Sequence, residues 1–596
     1  MRKELLLLGA FGMLTTATLC AQEFHLQPTP QEYITQKDSV DIPRQYQILS
    51  GNSVQDGPAL PLLRSLMPEE VLGASFRVYI GVKGDKIIKK YQHRIPRKSE
   101  GYFLKIEKDC IVIAGADERG AYYGVQTLAQ LLALDKLPLA EVTDYPDVPY
   151  RGVVEGFYGA PWSQEARIRQ LDFYGRNKMN VYIYGPKDDP YHRTPNWRKP
   201  YPAQEGEQLK VLVNRAKENN VIFYWAIHPG QDIRWNEEDR SLLLQKFESM
   251  YQLGVRGFAV FFDDISGEGT KADKQAELLN YIDDHFVKVK RDVAPLILCP
   301  TEYNKSWTDV EGGYLTTLGD KLNEGIKVMW TGDMVVATID KSTLDFVNPL
   351  LKRKAYIWWN FPVSDYVQDH LLLGPVYGNG LDIKDDMSAF VSNPMEHAEA
   401  SKISLYSVAD YTWNMENYDS ETSWKHAVRD LMPLHAEYLE IFAAHNSDPG
   451  QNGHRFRREE SVAIQPALSA LLKAYQEKNE IDEDAYRQVA EECRKIIVAA
   501  DGLLASGNEN RPLITEIRPW LIQFKQVGEY GAEVLNMIRL RQQKDAFIGS
   551  YEHARALLVL MGETDAQYKA GIKSGSLHLM PTFNALFEAA TTGYNA

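Results

Sequence analysis

Short apolar runs alternate with helix-like stretches through the middle of the chain. Eight of these runs have the continuous hydrophobicity and the length of buried parallel strands. They lie at residues 151–154, 180–184, 221–226, 258–262, 296–299, 327–330, 355–359 and 403–408. Eight strands that alternate with helices over roughly 260 residues have the size and rhythm of a (β/α)8 barrel. The pattern therefore predicts the α/β class, with a TIM barrel at its centre.

Different patterns flank the predicted barrel. The amino-terminal part is strand-rich, with a predicted hairpin at 101–107 and 110–114 that is followed by an amphipathic helix. After about residue 455 the apolar positions follow a helical period instead. We therefore predict a small α+β domain before the barrel and an α-helical bundle after it. The predicted divisions are a signal peptide at 1–21 and domains at 22–147, 148–455 and 456–596.

The first residues have the features of a secretory signal peptide. Arg2 and Lys3 precede the apolar run 5–14, and cleavage after Ala21 fits the small residues there. Cys20 leaves lipid anchoring as a less favoured alternative, because Leu19 occupies a position where lipoprotein signals use a small residue. No later run reaches about 18 apolar residues. We expect an exported chain, periplasmic or extracellular, with no membrane insertion after signal removal.

Composition narrows the range of partners. The 596 residues carry a net charge of -15, which argues against nucleic acid or an anionic membrane surface as the main partner. The 33 Tyr and 11 Trp weakly favour carbohydrate, because amphipathic rings stack on pyranose faces. Cys110, Cys299 and Cys493 are widely spaced and form neither a disulfide framework nor a zinc motif. We predict no cofactor and no metal in the functional site, and a structural metal ion is left open.

The ends of the predicted strands carry most of the candidate chemistry. The carboxyl ends of TIM-barrel strands form the active face, so residues that are distant in sequence converge there. Nearly every predicted strand ends in polar or aromatic residues. These strand ends are 155–158, 185–189, His228, Asp263 and Asp264, 301–303, 331–333, Asn360 and 410–414.

Asp263 and Asp264 follow an apolar strand directly, and two interpretations of the pair are open. An isolated Asp-Asp pair is typical of a surface turn that caps the next helix. In a barrel mouth, the pair instead favours catalysis, with one acid kept as an anion and the other as a proton donor. Adjacent strand residues point to opposite faces, so both can enter one pocket only if the chain leaves the ladder between them.

An acid pair in a barrel mouth lined by Tyr, Trp and Asn suits glycoside hydrolysis. The closeness of the two acids limits the mechanism of that reaction. The usual nucleophile and acid of a retaining glycosidase stand about 5 to 5.5 Å apart across the sugar. Two adjacent residues favour another arrangement, in which the 2-acetamido oxygen of the substrate attacks. One Asp would then orient the acetamido N–H while the other protonates the glycosidic oxygen, as in substrate-assisted N-acetylhexosaminidases.

Four strings of residues resemble a known family. They lie at 151–159, 185–190, 262–265 and 356–360. They resemble the motifs of glycoside hydrolase family 84, which includes the O-GlcNAcases and bacterial β-N-acetylglucosaminidases, and the resemblance extends over essentially the whole chain. It implies a retaining exo-β-N-acetylglucosaminidase that acts on terminal β-linked GlcNAc of glycoproteins or glycans.

The resemblance also implies roles for individual residues. Asp263 would orient and polarise the acetamido group, Asp264 would be the general acid and then the general base, and Tyr303 would support the oxazoline intermediate. Tyr158 and Trp358 would form the walls of the acetamido pocket. The remaining substrate-binding residues would be Gly156, Lys187, Asn360, Asp365 and Asn393, which hold the sugar hydroxyls, and Thr331 and Val335, which line the cleft.

Two other functions stay open from the sequence. One is a metal-dependent sugar deacetylase that uses Asp263, Asp264 and His228 as ligands. The other is a non-catalytic glycan-binding protein that keeps the barrel and the aromatic cleft. The natural substrate and the oligomeric state are left open as well.

Overall fold

The computed structural model describes residues 25–595, so the predicted signal peptide lies outside the described residues. The first unit is a six-stranded sheet in the order β1-β6-β4-β5-β3-β2. Strands β4 and β5 form the predicted antiparallel hairpin. Helix α2 packs on the sheet through buried residues that include Tyr123, Leu128 and Leu131. The elements are β1 Glu32–Val40, β2 Gln47–Ser50, α1 Ala59–Leu66, β3 Arg77–Val82, β4 Tyr102–Ile106, β5 Cys110–Gly115, α2 Glu118–Leu132 and β6 Leu137–Asp144.

Eight parallel strands then close into a barrel, which confirms the predicted TIM barrel. Closure comes from the pairing of the last strand, β14, with the first, β7. The strands are β7 Tyr150–Glu155, β8 Val181–Tyr184, β9 Ile222–Ile227, β10 Gly257–Phe261, β11 Ile297–Cys299, β12 Lys327–Trp330, β13 Ala355–Trp359 and β14 Met387–Ser392.

Helices surround the barrel and continue into the carboxyl-terminal part. Those associated with the barrel are α3 Gln164–Arg176, α4 Ala203–Glu218, α5 Glu237–Gln252, α6 Ala272–Ile282, α7 Lys288–Lys290, α8 Tyr314–Lys321, α9 Lys341–Leu351, α10 Ala398–Trp413, α11 Ser420–Leu431 and α12 Ala436–Ala444. The predicted helical bundle is confirmed. Its helices are α13 Gln465–Lys478, α14 Glu483–Ala505, α15 Arg511–Leu540, α16 Lys544–Ala566 and α17 Leu579–Asn595. Within residues 25–595, no helix combines the length and hydrophobicity needed to cross a bilayer.

The prediction of the eighth strand is wrong. Residues 403–408 lie inside helix α10, and the true eighth strand is β14. All sixteen residues of α10 are buried, so the helix lacks the polar stripe that normally distinguishes a helix from a buried strand. Residues 410–414 therefore do not form a strand end. Trp413 instead donates its indole N–H to Asp144 of the amino-terminal domain at 2.8 Å.

Asp144 is the centre of a buried polar contact between the amino-terminal domain and the barrel. Its other oxygen accepts hydrogen bonds from the Tyr102 hydroxyl at 2.6 Å and from the Lys178 ammonium at 3.1 Å. The ammonium of Lys178 also lies against the rings of Tyr102 and Trp413. A buried charge pair is tolerated when further hydrogen bonds satisfy it, so this cluster fixes how the two domains meet.

The bundle contacts the barrel through an unusual carboxyl group. Glu516 on α15 accepts a hydrogen bond from the Ala400 N–H in the first turn of α10 at 2.7 Å. Burial, together with the nearby charge of Glu399, raises the pKa of Glu516 to about 8. The side chain is therefore mostly neutral at pH 7 in the folded chain and ionised in the unfolded chain.

Glu516→Gln is expected to stabilise the chain at alkaline pH. Because the folded pKa of Glu516 exceeds its unfolded value, its contribution to stability is complete below about pH 4.3 and is lost as the pH rises towards 8. Glutamine keeps an acceptor for the Ala400 N–H but does not ionise. In urea unfolding, the free energy of unfolding of the variant should rise relative to that of the parent by on the order of 1 kcal/mol when the pH is raised from about 5 to about 8.5. The exposed Glu552→Gln is the matched control, and an equal change in both variants would contradict the account.

Candidate active site

Strand β10 delivers the two adjacent carboxylates to the mouth of the barrel. The strand ends at Phe261, and Asp264 adopts the left-handed conformation with φ 52°. This conformation is uncommon for a residue other than glycine. It takes the chain out of the ladder, and both Asp263 and Asp264 line the same cavity. Both carboxyl groups can therefore enter one pocket, because the chain leaves the strand ladder as their adjacency requires.

The cavity lies at the carboxyl ends of the barrel strands and has a volume of about 380 Å³. All twelve residues predicted for the site line it. They are Gly156, Tyr158, Lys187, Asp263, Asp264, Tyr303, Thr331, Val335, Trp358, Asn360, Asp365 and Asn393. Six further residues complete the lining, namely Cys299, Trp307, Val336, Val363, Tyr366 and His454.

Asp263 is buried and paired with a cation. The Lys187 ammonium donates to its Oδ2 at 2.6 Å, and His228 Nε2 donates to its backbone carbonyl at 2.8 Å. Burial by itself would raise the pKa of Asp263, but Lys187 and His228 outweigh it and hold that pKa well below its usual range. Among the described residues, no hydrogen bond reaches its Oδ1. The ionised carboxylate thus keeps unused capacity to accept an N–H.

Asp264 has a different environment, although it is the next residue. It is exposed in this structure, and two phenols donate to it, Tyr303 to Oδ1 at 2.8 Å and Tyr158 to Oδ2 at 2.9 Å. Burial, together with the charge of Asp264, raises the pKa of Tyr303 far above its usual value. Burial also raises the pKa of Tyr158 to about 12, despite the opposing effect of Lys187. Both phenols are therefore proton-bearing donors at neutral pH.

A network of hydrogen bonds around Asn360 holds another part of the cavity wall. Asn360 Oδ1 accepts from Trp358 Nε1 at 2.8 Å and from Asn393 Nδ2 at 3.0 Å, and Asn360 Nδ2 donates to the Val335 carbonyl at 2.7 Å. The Gly156 N–H donates to Asn393 Oδ1 at 3.3 Å. A Cβ at Gly156 would lie 2.6 Å from the Trp358 ring, so only glycine lets the indole close this wall.

Asp365, Thr331 and Lys187 also line the cavity, and each makes a contact that holds part of it in place. Asp365 Oδ2 accepts the Tyr158 N–H at 2.9 Å, and burial raises the pKa of Asp365. The Thr331 hydroxyl donates to the Met334 carbonyl at 3.0 Å, so it is engaged within its own loop. The Lys187 ammonium lies 5.2 Å from the centre of the Tyr158 ring, which places the cation against an aromatic face.

Some strand ends do not reach the cavity, and some lining residues were missed. Glu155 pairs with Arg167 through both carboxylate oxygens and lies outside the lining. Cys299 could have been found, because it is the last residue of a predicted strand. His454 gave no such indication, since it belongs to the segment between α12 and α13 and packs edge-on against Tyr366 with ring centres 4.9 Å apart.

Each part of the chain matches a known family of domains. Residues 151–444 match the β-N-acetylglucosaminidase family, and residues 460–587 match the post-catalytic domain of bacterial GH84 proteins. Residues 23–145 match domain 2 of glycosyl hydrolase family 20. The three matches follow one another along the chain in the order of the sheet domain, the barrel and the helical bundle.

Individual relatives agree with these matches. The chain is 36% identical to Protein O-GlcNAcase of Rattus norvegicus over 276 residues, which are 45% of this chain but only 30% of that protein. It is 29% identical to a β-hexosaminidase of Vibrio vulnificus over 167 residues, which are 28% of this chain and 19% of that protein.

Two solved structures match almost the whole chain. CpGH84D has a TM-score of 0.88 at 27% identity, with 96% of this chain and 100% of that chain covered. CpGH84B has a TM-score of 0.86 at 31% identity, with 95% of this chain and 100% of that chain covered. With this identity over the full length of CpGH84B, and with the barrel and bundle matches, the chain belongs to glycoside hydrolase family 84.

Proposed function

We propose that the chain is a retaining exo-β-N-acetylglucosaminidase of the O-GlcNAcase type, which removes terminal β-linked GlcNAc by substrate-assisted catalysis. One observation carries the proposal. Two adjacent carboxyl groups share one cavity but have separate partners: Asp263 is buried against Lys187, and Asp264 accepts from Tyr158 and Tyr303. The family membership supports the same class of substrate.

The polar wall of the cavity suits the hydroxyl groups of one sugar. Lys187, Asn360, Asp365 and Asn393 present donors and acceptors around the cavity, and in this proposal they hold the hydroxyls together with the backbone at Gly156. Trp358 and Tyr158 form the walls of the acetamido pocket, while Thr331 and Val335 complete the cleft. Polar groups of this kind on an otherwise apolar cavity fix the orientation of a ligand.

In the first step, the acetamido carbonyl oxygen attacks the anomeric carbon. Asp263 accepts the acetamido N–H, which increases the electron density on that oxygen. Asp264 gives its proton to the glycosidic oxygen, so the bond to the leaving group breaks. The product is a protonated oxazoline (oxazolinium ion), whose N–H stays hydrogen-bonded to the ionised Asp263. Tyr303 supports this intermediate from its position beside Asp264.

In the second step, Asp264 acts as a base. It removes a proton from a water molecule that attacks the anomeric carbon, the oxazoline ring opens, and the acetamido group is restored. Because each of the two displacements inverts the anomeric carbon, the product keeps the β configuration. An adjacent pair of acids suits these two steps, since only one of the acids has to reach the glycosidic oxygen.

We also propose that the chain acts outside the cytoplasm. The support is the charge and apolar pattern of residues 1–21, which is that of a secretory signal peptide. An exported enzyme meets GlcNAc on glycoproteins and glycans outside its own cell, and mucins and hyaluronan fragments carry sugars of this type.

Asp264→Asn is expected to abolish most turnover and to leave sugar binding intact. Asparagine cannot donate the proton, so kcat/KM for a β-GlcNAc glycopeptide should fall by about 10²- to 10⁴-fold. The loss should be smaller for 4-nitrophenyl β-N-acetylglucosaminide, whose leaving group departs without a proton. Steady-state kinetics on the two substrates, with calorimetric binding of GlcNAc, measure both effects. An equal loss on both substrates would contradict the role of Asp264.

The same assays decide between the enzyme and its alternatives. A glycan-binding protein would bind GlcNAc in the parent form without releasing 4-nitrophenol. A metal-dependent deacetylase would release acetate and would stop after EDTA treatment. We expect 4-nitrophenol release that EDTA leaves unchanged.

Lys187→Met is expected to shift the acid limb of the pH profile of kcat/KM to higher pH. Lys187 is one of the groups that lower the pKa of Asp263, and without it the effect of burial, which raises that pKa, is opposed by His228 with no lysine to help it. The carboxylate is then lost at a higher pH, by about 1 to 3 pH units. Lys187→Arg keeps the charge and serves as the control. An acid limb that stays in place in Lys187→Met would show that Lys187 does not govern the ionisation of Asp263.

A further inference from the structure

Tyr158 reaches Asp264 from an exposed loop. The side chain of Tyr158 is 46% exposed, and the neighbouring Gly159 and Ala160 are exposed as well. Loops of this kind, with few buried contacts, open at low free-energy cost. The hydroxyl of Tyr158 nevertheless lies 2.9 Å from Asp264 Oδ2. A hydrogen bond so placed needs something that holds the backbone of the loop.

Two carboxylates hold that backbone from neighbouring strand ends. Asp365, which follows β13, accepts the Tyr158 N–H at 2.9 Å. Glu396, which follows β14, accepts the Ala160 N–H through Oε2 at 2.7 Å. Hydrogen bonds to an ionised acceptor are shorter and stronger than neutral ones. The loop is thus joined to two other loops on either side of Gly159.

Gly159 is what allows Glu396 to approach. Its φ of 129° is a conformation that side chains disfavour. A Cβ at this position would lie 2.5 Å from Glu396 Oε2 and 3.1 Å from Gln368 Nε2. Any side chain here would displace the carboxylate that holds Ala160.

The backbone around Glu396 is itself fixed. The carbonyl of the preceding Met395 accepts the indole N–H of Trp162 at 3.1 Å. The following His397 packs its ring edge-on against Trp520 of α15, with ring centres 4.9 Å apart. Glu396 does not line the catalytic cavity. The backbone that carries the Glu396 carboxylate is therefore held in place. Glu396 can affect the cavity only through the loop that contains Tyr158.

We propose that Glu396 is a positioning residue, which keeps the Tyr158 hydroxyl on Asp264 by holding the Ala160 N–H. This inference rests on the proposed function for the role of Asp264. It adds that the geometry of the general acid depends on a carboxylate outside the cavity, supplied by the loop after β14.

A double-mutant cycle tests the inference. Glu396→Ala should lower kcat/KM for a β-GlcNAc glycopeptide, whose leaving group needs the proton, about tenfold, mainly through kcat, as expected for the loss of one charge-assisted hydrogen bond. Glu396→Gln should recover activity to within about twofold of the parent, because the amide oxygen still accepts the Ala160 N–H. In a Tyr158→Phe background, Glu396→Ala should cost less than about twofold, since the hydroxyl that it positions is already absent.

The results distinguish a failure of the inference about Glu396 from a failure of the proposed function. Equal effects of Glu396→Ala in the parent and in the Tyr158→Phe background would overturn the inference, and so would a Glu396→Gln variant as impaired as Glu396→Ala. A parent chain without turnover would instead overturn the proposed function. Thermal unfolding checks that each variant is folded. If Glu396→Ala does not fold, Glu396→Leu takes its place in the cycle, because leucine keeps more of the side-chain volume but cannot accept the Ala160 N–H.

Discussion

The buried ion pair between Lys187 and Asp263 sets the electrostatics of the cavity. A carboxylate as buried as Asp263 would take up a proton if it stood alone, because desolvation penalises the charged form. The ammonium group at 2.6 Å, with His228 close by, reverses that outcome and keeps Asp263 ionised. The barrel makes the pair possible, since Lys187 and Asp263 follow different strands that end at the same face.

Once Asp263 is fixed as an anion, the rest of the site can be arranged around its neighbour. The left-handed conformation of Asp264 turns the second carboxyl away from the ion pair and towards Tyr158 and Tyr303. The two acids of one dipeptide thereby acquire different tasks. In the proposed mechanism, Asp263 stays charged beside a cation, and Asp264 exchanges a proton at the mouth of the cavity. The surrounding loops, including the one held by Glu396, keep the tyrosines in place.

Much of this architecture could be predicted from the sequence, because buried parallel strands are short, continuous apolar runs. Seven of the eight predicted barrel strands overlap the observed ones. The eighth failed at residues 403–408, because α10 is buried on every side and lacks a helical stripe. The true strand β14 has four apolar residues in six, which is the same number as in residues 403–408. Local pattern cannot rank two such segments, because the burial of α10 depends on tertiary contacts with α3, α11, α15 and the barrel strands.

The site likewise contains residues that could be predicted from the sequence and residues that could not. Asp263 and Asp264 were evident from their position after a strand. Six more site residues lie within the predicted strand ends and took their roles from the family resemblance, namely Gly156, Tyr158, Lys187, Tyr303, Thr331 and Asn360. Val335, Trp358, Asp365 and Asn393 came from the resemblance alone. His454 and Glu396 were missed because their positions depend on contacts over long sequence separations, with Tyr366 and with Ala160. The sequence indicated only that the chain had to leave the ladder between Asp263 and Asp264. The structure shows how it does so, with Asp264 at a φ of 52°.

The central claim is that the substrate supplies its own nucleophile. A series of 4-nitrophenyl β-glucosaminides with acetyl, fluoroacetyl, difluoroacetyl and trifluoroacetyl groups on nitrogen tests it most directly. Each fluorine withdraws electrons from the acyl oxygen, so kcat/KM should fall steeply along the series. Values of kcat/KM that do not change along the series would contradict the account, because they would show that a group of the enzyme or a water molecule attacks the anomeric carbon instead.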